Sequence, residues 1–253
     1  MLFTGLDRGS WVGFQVWRLG LALCFRMRSI LPDQRRPSQA EIMQSIHGVN
    51  VFAGYVPVMG EDSSGWNSQH PSFDEIVARL RPNVVIDVGV WKGGSTIYLA
   101  QLMRRHGYAG TVIAVDTFLG SLEHSDRTSE VFGMIQRRHG MPMLYDQFMS
   151  NMVRCGVSGL VVPVPQTSTT GALLLGKLRI RAGLIHIDAS HEYQDVLTDS
   201  RMYWDLLEPG GYLIGDDYHR YWPDVIRAAD DFAREKGVEL VARDPKWIVR
   251  KPG

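Results

Sequence analysis

A chain of 253 residues suits one large domain, or a domain with an appendage, and is long enough for a full hydrophobic core. Acidic and basic residues balance at 27 each, so nothing in the charge predicts a nucleic-acid backbone as partner. Two cysteines, Cys24 and Cys155, exclude a disulfide framework and a thiolate zinc site and point weakly to a reducing compartment. No apolar run reaches the roughly 18–20 residues of a membrane span, so composition predicts a soluble, cytoplasmic α/β protein.

In chain order, residues 1–30 carry Trp11, Phe14, Trp17, Leu21 and Phe25 at near-helical spacing, interrupted by Arg18, Arg26 and Arg28. A helix packed on the domain or on a second subunit is favoured, which leaves a homo-oligomer open. A membrane-surface helix is the alternative. Pro32, Asp33 and Pro37 mark a break, and Ser38–Ile46 reads as a short helix. From Gly48 to Gln69 the chain is rich in Gly, Ser and Asn, as expected of an ordered loop that could close on a substrate or simply connect elements. Ser72-Phe73-Asp74-Glu75 has capping-box spacing, and Phe73, Ile76, Val77 and Leu80 follow at helical intervals.

Val84, Val85 and Ile86 form an apolar run typical of a central parallel strand. Asp87, Gly89, Gly93, Gly94 and Ser95 follow, then a helical pattern with Leu99, Leu102 and Met103. A strand, a glycine-rich turn and a helix let backbone N–H groups approach a polar ligand. The spacing D-x-G-x-x-x-G-G departs from the G-x-G-x-x-G of a dinucleotide fold, which counts against NAD. Thr111–Asp116 is a second strand ending in an acid. Asp116 is read as a ribose ligand in preference to a helix cap, because it follows that glycine turn by one unit.

His124 and Asp126, in a polar stretch, could line the site, but a solvated loop is favoured. Leu144–Val153 is helical, and Leu160–Val164 is a third strand with Gln166, Thr167 and Ser168 at its carboxyl end, as base contacts or helix caps. Leu184–Asp188 reads as a strand, a helix opens near His191, and after Pro209-Gly210-Gly211 another strand ends at Asp216. Strands joined through a helix are normally parallel. Asp188, Asp216 and Asp217 therefore meet at one sheet edge, with His191 beside them. Alternation along the strand sends the side chains of Asp216 and Asp217 different ways. Trp222–Lys236 is an amphipathic helix, and Val238–Val241 with Trp247–Arg250 close the chain as an antiparallel edge.

Seven strands with helices between the early ones, together with VVIDVGVWKGGS, TVIAVD and LLEPGGYLIGDD, resemble the class I S-adenosylmethionine-dependent methyltransferases over roughly residues 70–250. The implied fold is a Rossmann-like, seven-stranded, mostly parallel sheet flanked by helices, preceded by a helical and loop extension at 1–69. D-x-x-H with D-D is similar to the metal-dependent sugar O-methyltransferases that act on macrolide sugars. That resemblance implies S-adenosylmethionine as cofactor, contacted by Asp87, Gly89, Gly93, Ser95, Asp116, Thr117, Gln166 and Ser168. It implies magnesium or another divalent cation on Asp188, Asp216 and Asp217, catalysis by His191 and Asp188, and a sugar, polyol-like small molecule or glycan as acceptor.

The chemistry has a reason to need these groups. A sugar hydroxyl is a weak nucleophile, and both a cation that lowers its pKa and a base that collects its proton help. Magnesium takes oxygen ligands and keeps several waters, so few carboxylates suffice. The alternatives are a metal-independent methyltransferase with His191 as base, or a non-catalytic binding protein on the same fold. His219 is the rival base.

Overall fold

The apolar runs Val84–Val88, Thr111–Asp116 and Ala182–Ile187 lie side by side in the middle of one seven-stranded sheet. A computed structural model describes residues 36–253. The helix expected within residues 1–30 and the break at Pro32 and Asp33 lie outside the described residues.

The first elements are α1 (Gln39–His47), α2 (Pro71–Leu80), β1 (Val84–Val88), α3 (Gly94–Arg105), β2 (Thr111–Asp116) and α4 (Leu122–Ser125). A two-strand hairpin, β3 (Arg137–Arg138) and β4 (Met141–Pro142), follows inside the polar stretch where no strand was expected. Then come α5 (Leu144–Arg154), β5 (Val161–Pro165), α6 (Ser168–Lys177), β6 (Ala182–Ile187), α7 (Tyr193–Leu206) and β7 (Leu207–Gly215). The chain closes with α8 (Pro223–Lys236), β8 (Leu240–Arg243) and β9 (Lys246–Arg250).

The sheet order is β5-β2-β1-β6-β7-β9-β8. The first five strands are parallel, and β9 runs antiparallel to both β7 and β8. Every residue of β1 is buried, as a parallel strand covered on both faces requires. Val84, Ile86 and Val88 face a core shared with α1, α6, α7 and α8, whereas Val85 faces one shared with α2, α3 and α5. Ile42 and Met43 of α1 belong to the first of these cores, so residues 36–69 are packed into the same unit as the sheet.

Two helix starts show how local chemistry sets boundaries. Ser38 and Glu41 form a reciprocal capping box at α1. At α2 the expected box on Ser72 is replaced by His70, whose Nδ1 accepts from the Ser72 N–H at 3.3 Å. Pro71 explains the shift, because its fixed φ and missing N–H suit the first helical position and draw the start forward. Similarly, α7 opens at Tyr193, and His191 stands in the turn before it. Ser190 holds that turn, accepting from Glu192 N–H at 3.3 Å and donating to Asp195 at 2.8 Å.

Parallel register then aligns the strand ends. Val88 pairs with Val115 and Ile187, and Ile187 with Gly215. The residues that follow those four therefore emerge at one edge: Gly89, Asp116, Asp188 and Asp216.

Candidate active site

A cavity of about 350 Å³ opens at that edge, within the range of small-molecule clefts. Gly89, Asp116, Thr117, Gln166, Ser168, Asp188 and His191 line it, so seven residues expected at the site share one wall. Gly89 is required there. Its φ is +78°, and a Cβ would sit 2.0 Å from the carbonyl oxygen of Asp188. Only a bare backbone lets the ends of β1 and β6 approach so closely.

Asp116 accepts the Trp91 N–H at 2.9 Å on one carboxylate oxygen and the Phe118 N–H at 2.7 Å on the other. Burial pushes its pKa up, while these backbone donors pull it down. With a backbone bond from Val90 as well, the carboxylate still has acceptor capacity for a further donor such as a ribose hydroxyl. Ser168 turns its hydroxyl to the buried Asp199, and Thr117 Oγ1 accepts from Leu119 N–H at 3.2 Å.

Asp87, Gly93 and Ser95 do not stand in the cavity wall. Asp87 is fully buried and accepts Ser95 Oγ at 2.8 Å, Thr96 Oγ1 at 2.6 Å and His186 Nδ1 at 2.8 Å. A Cβ on Gly93 would lie 2.4 Å from Met152 Cε, so that glycine admits α5 to the turn. The linear motif did not distinguish residues under the turn from residues on it.

The acid pair divides. Asp216 is 5% exposed and forms an ion pair with the wholly buried Lys246. Asp217 adopts φ +58°, a left-handed conformation that aspartate tolerates better than most residues, and its Oδ2 lies 2.8 Å from His191 Nε2. Asp188, half-buried between them, receives no hydrogen bond on its carboxylate from the described residues. Its ligand atoms cluster within 4.8 Å with those of His186 and Asp216 on one side and of His191 and Asp217 on the other. Burial and then the charge of Asp216 drive the Asp188 carboxyl well above its usual range, with Asp217 and Asp87 adding and Lys246 opposing. For His191, burial works downward, but the hydrogen bond and charge of Asp217, with Glu123 and Asp216, raise its pKa. The rival base His219 lies outside the cavity wall, stacked on Tyr221.

Several residues here escaped the sequence reading. His124 was assigned to solvated loop, yet it is 9% exposed, lines the cavity and stacks on Trp91 at 4.3 Å. Trp66 extends that stack and is brought in by the loop at 48–69. The loop is pinned from below. Ser150 accepts the N–H groups of Val58 and Met59, Asn151 bonds both the N–H and the carbonyl of Asp62, and Lys92 Nζ pairs with Asp62 at 2.6 Å.

A family model described as a methyltransferase domain matches residues 86–218, just over half of the chain. The rhamnosyl O-methyltransferase of Mycobacterium tuberculosis is 24% identical over 155 residues, 61% of this chain and 51% of that protein. The same figures hold for its Mycobacterium bovis counterpart, so the chain spans about half the length of these curated relatives. Among solved structures, the O-methyltransferase from Bacillus cereus in complex with SAH aligns with a TM-score of 0.53 at 17% identity, covering 85% of this chain and 92% of that one. The calicheamicin methyltransferase CalS11 aligns with a TM-score of 0.53 at 18% identity, covering 71% and 76%. These likenesses bear out the fold expected from the strand pattern, and among the described residues no helix is long and apolar enough to cross a membrane. The chain belongs to the family of that methyltransferase domain and has the Rossmann-like fold of class I S-adenosylmethionine-dependent methyltransferases.

Proposed function

We propose that the chain is an S-adenosylmethionine-dependent O-methyltransferase that uses a divalent cation and acts on a hydroxyl of a sugar, polyol-like small molecule or glycan. The observation that carries this is Asp188: a carboxylate on the cavity wall with no hydrogen bond from the described residues, crowded by further acids, next to an imidazole on a carboxylate. Like charges so close are stable only when protonated or when a cation joins them. Asp188 on the cavity wall and Asp217, whose ligand atom lies within 4.8 Å of it, would hold magnesium or manganese, whose preference for oxygen ligands and retained waters suits a site with few carboxylates. Bound there, the cation would supply Lewis acidity toward the acceptor hydroxyl.

The chain's own residues do the rest. Asp116 takes the ribose hydroxyls, and Gly89 leaves the backbone open to the methionine part of the cofactor. His191 donates Nε2–H to Asp217, which leaves the lone pair on Nδ1 to collect the acceptor's proton, while the raised pKa makes it a stronger base. Trp66, Trp91 and His124 cover one end of the cavity with rings, a surface that excludes water and suits the apolar face of a sugar. The rhamnosyl acceptor named for the mycobacterial relatives agrees with this substrate class. The loop at 48–69 is proposed as the cavity's cover, through Trp66.

The test is transfer of labelled methyl from S-adenosylmethionine to a panel of free and glycosidic sugars, with magnesium and with chelator. Transfer that chelator abolishes and magnesium restores supports the proposal. Transfer indifferent to chelator favours His191 acting alone. Cofactor binding without transfer to any acceptor favours a binding protein.

A further inference from the structure

The triad His186, Asp188 and Asp216 has the donor set of a cation site, but it already faces a cation. Lys246 is 0% exposed on β9, with Nζ bonded to Asp216 Oδ2 and donating to His186 Nε2 at 3.1 Å. That contact fixes the histidine tautomer. Nε2 accepts from the ammonium, so Nδ1 carries the proton and donates it to Asp87 Oδ1 at 2.8 Å. The second oxygen of Asp87 takes Ser95 and Thr96, and the second oxygen of Asp216 takes the Asp217 N–H at 2.8 Å. Two of the three ligand atoms in this inner triad are thus committed to one ammonium. The third belongs to Asp188, which the charge of Lys246 also stabilises.

Burial decides which cation belongs there. His186 is 1% exposed and Asp216 is 5% exposed, so an ion in the inner triad would shed its waters. Magnesium dehydrates reluctantly and demands near-octahedral ligands. An ammonium on a four-carbon stem brings three donors and no acceptor, which suits a small buried ring of acceptors.

We propose that Lys246 is the resident cation of the inner triad, a positioning residue whose ammonium takes the place of a divalent ion among His186, Asp188 and Asp216. Any divalent ion is then confined to Asp188 and Asp217. This deepens the proposed function and rests on it for the role of the outer site. Lys246 holds Asp216 away from the cavity and leaves Asp188 as the carboxylate shared between the chain's own cation and one from solution.

The test counts manganese bound per full-length chain by electron paramagnetic resonance, in wild type and in Lys246→Ala, which opens room for a hydrated ion. The variant is expected to bind one more manganese than wild type, and equal numbers overturn the proposal. Wild type binding none while Lys246→Ala binds one keeps the role of Lys246 and removes the divalent-ion reading. One ion in each does the reverse. If Lys246→Ala does not fold, nitrogen-labelled lysine in the wild type gives the answer by NMR. The Lys246 ammonium resonance should exchange slowly with water and stay unmoved at saturating magnesium. Its loss into fast exchange on adding magnesium overturns the proposal.

Discussion

Asp217 Oδ2 and His191 Nε2 lie 2.8 Å apart, and this pairing joins the second residue past β7 to the turn before α7. It makes His191 a stronger base than a free histidine, and its consequence is a pH profile. A base works when neutral, so kcat/KM should fall as pH drops through a midpoint above the ordinary 6.5. His191→Asn should lose that limb and about 10²- to 10⁴-fold in kcat, with cofactor affinity unchanged. A limb that survives the substitution assigns the proton to another group.

Gly89→Ala tests the approach of β1 to β6. The new Cβ meets backbone, at 2.0 Å from Asp188 O, and the residue must also hold φ +78°. Overpacking and the left-handed conformation together should cost about 2–5 kcal/mol. Urea melts would read the loss, and an unchanged midpoint would show that the two strand ends have room to separate.

Lys246 and Asp216 should behave as one unit. Lys246→Met alone leaves a buried carboxylate uncompensated and should destabilise by about 3–5 kcal/mol. Lys246→Met combined with Asp216→Asn should recover most of that, giving a large coupling in a double-mutant cycle. Additive losses would mean that the two side chains contribute independently.

Asp199, buried beneath Ser168, links stability to pH. Burial lifts its carboxyl from the ordinary 3.8 to about 6, against the Ser168 hydroxyl and aided by Asp195. The folded state therefore holds this proton more tightly than the unfolded chain. Its contribution to stability is full below about pH 4, declines as pH rises to about 6, and is lost above that. Asp199→Asn should flatten this slope and stabilise the protein at pH 7 by about 2–3 kcal/mol. Chemical denaturation across pH 4–8 measures it, and a slope that persists in the variant rejects the assignment.

The fold was legible because its signals are local. The apolar run at Val84, the strand-end acid at Asp116 and the turn at Pro209-Gly210-Gly211 each announce an element within a few residues. The cavity wall at Gly89, Asp116, Asp188 and His191 was legible from the glycine turn, the strand-end acids and the family resemblance, since parallel strands deliver their last residues to one edge. What sequence did not reveal depends on contacts between distant positions. Lys246 reaches Asp216 across 30 residues and His186 across 60. Asp87 looked like a cofactor contact until its partners, Ser95, Thr96 and His186, placed it below the turn. His124 looked solvated because the ring that covers it, Trp91, belongs to another loop.

The edge formed by Gly89, Asp116 and Asp188 is proposed to bind S-adenosylmethionine with the acids facing the acceptor. Isothermal titration of the chain with S-adenosylmethionine, for wild type, Asp116→Ala and Asp188→Asn, tests it most directly. The prediction is one site per chain, weakened about 10- to 100-fold in Asp116→Ala, as expected for hydrogen bonds to a charged group, and retained in Asp188→Asn. No binding by the wild type, or an equal loss in both variants, would contradict it.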